Sequence, residues 1–159
     1  MKPYCRTAVF TLLPLISFAL LSSSAFAGDD FNTVNPNHNQ LAKRAFDHFY
    51  NTEYDRSIRE FEQLQKEYPE NPIANNYLAE AVVFGEMYRI GALDTETYAN
   101  NSFLDLKAKR PLNPDTTKRI NELLERSEKL CNARLDKNPN DIDALYARGV
   151  ERGLRSTFM

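Results

Sequence analysis

LAKRAFDHFYNTEYDRSIREFEQLQKEYPENP, residues 41–72, is the stretch that decides the fold. Leu41, Ala45, Phe46, Phe49 and Tyr50 recur at steps of three and four. That spacing lays them on one broad stripe of a helix with about 3.6 residues per turn. Asn51-Thr52-Glu53 is a short polar break. Ile58, Phe61, Leu64 and Tyr68 then make a second stripe, while Arg56, Arg59, Glu60, Glu62 and Lys66 fall on the side expected to meet water. Pro69 closes the unit, and Asn71-Pro72 opens the next helix with an Asn cap and a proline whose missing N–H costs nothing there. The stretch predicts one helix over about 38–50, capped by Asn37, and a second over about 55–67.

The same punctuation recurs further along. Ile73, Ala74, Tyr77, Leu78, Ala81, Val82 and Phe84 are apolar on most sides of a helix that should therefore be buried between neighbours. Gly91 is its natural stop. Asn113-Pro114 repeats the cap-then-proline start, and Ile120, Leu123, Leu124, Leu130 and Leu135 mark a helix over about 114–137. Pro139 follows it, and Asp141 caps a last helix carrying Ala144, Tyr146, Ala147, Gly149, Gly153 and Leu154. Gly149 and Gly153 are expected to let a neighbouring helix approach closely. Residues 92–116 break the pattern. They predict a helical turn near 95–100, an extended stretch around Phe103 and a basic patch at Lys107, Lys109 and Arg110. The aromatics of this segment are expected to tuck under the helices.

Leu41, Ala45, Tyr54, Ser57, Phe61, Leu64 and Pro69 together resemble a tetratricopeptide repeat, a helix–turn–helix unit of about 34 residues. Ser57 stands where alanine is usual and His48 where tyrosine is usual. The resemblance implies an all-α, right-handed α-α superhelix with repeats at about 38–70, 71–139 (carrying the insertion 92–116) and a partial one at 140–159. It implies that the chain is a piece of a longer protein, or that the last helix is a cap whose charges are Arg148, Glu151, Arg152 and Arg155. It also implies partner binding, since such repeats hold other proteins on a concave face lined by each first helix. By that register Phe46, Phe49, Tyr50, Asn76, Glu80 and Tyr146 are the candidate partner-binding residues, with Val83, Phe84 and Val150 beside them. An apolar, aromatic groove of this kind suits a helix or an extended apolar peptide. The family's clamp for a terminal carboxylate uses Lys, Arg and Asn, and the matching positions here carry no Lys or Arg. An unpaired face on the last helix implies marginal stability and weak self-association to a dimer.

The first 27 residues read as a secretory signal: Lys2 and Arg6, an apolar run from Thr7 to Leu21, then Ala25-Phe26-Ala27 before a cut at Gly28. Residues 28–37 read as a flexible leader. Cleavage would leave 132 of the 159 residues, and the 20 basic residues would fall to 18 against 22 acidic, a net charge of −4. That balance disfavours nucleic acid and anionic membrane surfaces as partners. Cys5 would leave with the signal, so Cys131 could form no internal disulfide.

No reaction chemistry is legible. His38 and His48 are about 15 Å apart along a helix and cannot share a metal. Residues 136–143 alternate oxygen ligands, but the sixth and twelfth positions of a calcium loop would be Asp141 and Ala147 rather than glycine and glutamate. Cys131, beside Leu130, reads as a small buried hydrophobe. The expectation is therefore a non-catalytic scaffold with no metal and no cofactor, exported to the periplasm or cell envelope and binding a protein or peptide. The rival expectations are a binding part of a longer exported protein and an envelope-assembly factor.

Overall fold

The computed structural model describes residues 30–94 and 111–158. The signal segment 1–27, the turn expected near 95–100 and the patch Phe103, Lys107, Lys109 and Arg110 lie outside the described residues. Six α-helices are described: α1 Asp30–Val34, α2 Gln40–Tyr50, α3 Tyr54–Glu67, α4 Pro72–Arg89, α5 Pro114–Leu135 and α6 Ile142–Phe158. The fold is all-α.

Side-chain caps set the helix starts. Asn39 Oδ1 accepts from the N–H groups of Leu41 and Ala42, both at 3.0 Å. Asn71 Oδ1 does the same for Ile73 and Ala74, and Asn113 for Asp115 and Thr116. Pro72 and Pro114 follow their asparagines in the first turn. Asp141 Oδ1 accepts from Ala144 N–H at 3.0 Å while its carboxylate is gripped by Arg134. Each cap satisfies amides that the helix itself leaves without partners. The α2 cap is Asn39 rather than Asn37, because residues 35–38 form a turn whose amides bond to Asn35. Gly91 ends α4 with φ 76°, a left-handed conformation open to glycine at little cost. Thr52, in the α2–α3 turn, also has positive φ, 61°.

Consecutive helices pack on one another from α2 to α6, and α4 also packs against α6 and α1. α4 is the centre. Eleven of its eighteen residues are buried, so its surface is shared among α1, α3, α5 and α6. Phe61 and Leu64 of α3, Leu78 and Val82 of α4, Ile120 and Leu124 of α5, and Ala147 and Leu154 of α6 belong to one continuous core. Ser57 is buried at the position where the repeat pattern favours alanine, and its hydroxyl has no hydrogen-bond partner among the described residues.

Four local expectations give way to the packing. Residues 30–34 form a short helix, not a free leader. Val34 is fully buried, and the Phe31 ring meets Tyr146 edge-on at 5.8 Å while its N–H reaches the Asp143 carboxylate at 3.4 Å. Gly149 and Gly153 are exposed with no neighbour near a would-be Cβ. The close approach occurs instead at Gly85, where a Cβ would lie 3.2 Å from that of Tyr54. Glu62 is half-exposed and joins α3 to α5 through Arg119. Glu151 is buried and bonded to Arg155, which also reaches Glu128 of α5.

Candidate functional site

The sequence-predicted residues of α4 divide into two groups by the side of the helix on which they lie. Asn76 and Val83, seven residues apart on one face, are both buried. Asn76 donates to Ala147 O of α6 at 2.7 Å and accepts from the Ser127 hydroxyl of α5 at 2.6 Å. Its neighbour Asn75 donates to Leu123 O of α5 at 2.7 Å and accepts from Gln65 of α3. Asn76 therefore pins helices together and offers nothing to a partner. The half-buried stripe of α4 lies one residue further on, at Tyr77, Glu80 and Phe84. Glu80 shares this stripe with Tyr77, three residues before it.

On α2, Phe46, Phe49 and Tyr50 form one aromatic group with 5.5–6.4 Å between ring centroids. Phe46 packs edge-on against Phe61 at 5.0 Å and Tyr77 at 4.8 Å, and Phe49 against Phe84 at 5.5 Å. Phe46 and Phe49 are thus half-buried links between α2 and its neighbours. Tyr50 is the exposed member, at 76%. Tyr146 of α6 is 53% exposed even with Phe31 against it. Val150 is half-buried against the core.

Burial first, and then the neighbouring Tyr146, Glu80 and Tyr50, push the Tyr77 hydroxyl up to about 12. Burial alone raises the Glu80 carboxyl above its ordinary range. Glu86, one and a half turns on, moves the other way. Arg89 chiefly, with the Asn113 N–H, holds it low despite its burial.

A cleft of about 780 Å³ opens elsewhere, between the start of α3, the end of α4 and the start of α5. Arginines line it, but most are engaged: Arg56 with Glu53, Arg89 with Glu86 and Arg119 with Glu62. It is a network of internal ion pairs rather than a basin of free positive charge. Among the described residues no three of His, Cys, Asp and Glu come close enough to hold a metal ion. His38 is exposed, and His48 pairs with Glu53. Asp141 is spent on Arg134 and the α6 cap.

Cys131 is buried, and burial raises its thiol to about 11 against a weaker opposing bond with Ser127. At neutral pH it is a protonated core group. With Cys5 replaced by Ser, a thiol reagent should label Cys131 at least about a hundredfold more slowly in the native protein than in denaturant. Comparable rates would place this thiol at the surface.

No family model, curated protein or solved structure matches this chain. No helix among the described residues is long and apolar enough to cross a membrane.

Proposed function

We propose that the chain is a non-catalytic binding scaffold of the bacterial cell envelope. It is built as a right-handed superhelix of tetratricopeptide-like repeats, is exported with its signal cut after Ala27, and holds a protein or peptide on its concave face. The observation that carries the reading is the exposed aromatic face. Tyr50 on α2 and Tyr146 on α6 keep more than half of their surface in water, although apolar rings gain by burial. These two helices would be the first helices of the first and third repeats. The packing of α4 against α6, two helices on, also supports repeat stacking.

The test compares two lesions once a partner has been captured on the exported chain. Tyr50→Ala should weaken the complex by about thirtyfold, the scale of an aromatic anchor at an interface. Deletion of Lys107 to Arg110 should leave it nearly unchanged. The opposite result, with binding lost on deletion and retained in Tyr50→Ala, would move the functional surface to the segment between α4 and α5.

A further inference from the structure

Four of the six large apolar side chains that the described residues leave exposed meet at one place: Phe31, Ile142, Leu145 and Tyr146. The other two, Tyr50 and Tyr88, sit on α2 and α4. Ile142, Leu145 and Tyr146 lie three and four residues apart at the start of α6, so they share one side of it. The opposite side carries Ala144, Ala147, Leu154 and Phe158 and is buried. Phe31 joins the exposed group through its edge-on contact with Tyr146 at 5.8 Å. The same stripe runs on through Gly149 and Gly153, where a would-be Cβ meets nothing within 4 Å. From Ile142 to Gly153 it is about 16 Å long, roughly three helical turns. A contiguous apolar patch of this kind marks a contact surface, whereas scattered exposed residues do not.

The uncompensated charge along this stripe has one sign. Arg148 and Arg152 border it on the Leu145 side, and neither forms an ion pair or hydrogen bond with a described residue. The nearby carboxylates are engaged: Asp141 with Arg134, Glu151 and Glu128 with Arg155, and Asp143 with the Phe31 N–H. A ligand that covers the apolar seam therefore meets two unpaired guanidiniums at its edge, which favour carboxylates and repel cations. A second copy of the chain is a poor fit, because it brings the same two arginines and no unengaged carboxylate from this face. Shape selects a helix. The two glycines, one turn apart, let a partner backbone come close along the stripe. A helix satisfies its own N–H and C=O groups, whereas an extended segment laid on a helix surface would cover them without partners.

We propose that the outer stripe of α6, with Phe31 beside it, docks an amphipathic α-helix of a partner protein, whose apolar seam is edged by Asp or Glu side chains that face Arg148 and Arg152. This surface does not depend on the Tyr50 face, although Tyr146 is common to both.

The experiment titrates the protein with a helical probe, an acetylated and amidated peptide of three repeats of Glu-Leu-Ala-Ala-Leu-Glu-Ala, following backbone amides by NMR. A twin with every Glu replaced by Lys serves for comparison. The acidic peptide should shift the amides of Leu145, Gly149 and Gly153. At low salt it should bind about tenfold more tightly than the basic twin, and the gap should narrow as ionic strength rises. Arg148→Gln combined with Arg152→Gln should erase the gap. Gly149→Leu combined with Gly153→Leu fills the open channel without meeting a neighbour, and leucine is the better helix former. That variant should keep its helix content by circular dichroism and bind at least about tenfold more weakly. Tyr50→Ala should leave this binding unchanged, whatever it does to a partner on the concave face. Equal affinities for the two peptides, or undiminished binding by the double-leucine variant, would overturn the proposal. Silence from both peptides, or shifts confined to residues away from α6, would overturn it too, as would loss of binding in Tyr50→Ala. Shifts on α6 that follow protein concentration without peptide would give the stripe to a second copy of the chain and equally overturn it.

Discussion

Phe61→Ala is expected to lower stability by about 3–5 kcal/mol, the usual cost of emptying a buried phenylalanine site. Phe61 is 1% exposed. Its ring sits between Phe46 of α2, edge-on at 5.0 Å, and Tyr77 of α4, tilted at 5.7 Å. Truncation therefore opens a cavity where three helices meet and removes two aromatic contacts, each adding about 0.5–1.5 kcal/mol beyond area alone. Glu62→Ala, one residue away, is the control. Its side chain is half-exposed and loses one ion pair with Arg119, a change of about 1 kcal/mol or less. Urea unfolding of the two variants at equal denaturant slope measures both. Equal losses would mean that α3 is rotated from the orientation described.

Asn76→Ala should cost about 1–3 kcal/mol, because it leaves Ala147 O and the Ser127 hydroxyl buried without the partners they now have. Asn76→Asp should cost more, since it places a charge at a position 2% exposed with no cation bonded there. A double-mutant cycle with Ser127→Ala should show a coupling of at least about 0.5 kcal/mol, the range for residues sharing one network. Additive losses would mean that the two side chains do not depend on each other.

The helices after α1 were legible because their starts are written locally. Asn71-Pro72, Asn113-Pro114 and Asp141 cap in the structure as their chemistry requires, and Gly91 supplies the left-handed stop that ends α4. What failed to show was everything decided by distant partners. The helix at 30–34 is marked only by Phe31 and Val34, and their reason for ordering lies on helices far along the chain. The close approach at Gly85 depends on the place of Tyr54, not on any local pattern. The exposure of Tyr50 on α2 and of Tyr146 on α6 was legible, and Glu80 lies half-buried on α4. Asn76, expected on the open side of the helix, is buried for a physical reason. Polarity argues for water, but a buried asparagine with both ends bonded is satisfied inside, and the tyrosine beside it takes the half-exposed place.

That substitution of places bears on how α4 finds its orientation. A helix apolar on nearly every side can bury almost as much surface after turning about its own axis, so burial alone leaves its azimuth degenerate. Asn75 and Asn76 break that symmetry. Adjacent residues point about 100° apart, and each must find a particular backbone oxygen on a different helix, Leu123 O on α5 and Ala147 O on α6. Only one rotation of the α4 cylinder satisfies both. Replacing the pair by leucine would preserve hydrophobicity yet leave several angular settings close in energy, and the same helix would then present Glu80 and Tyr77 at more than one bearing.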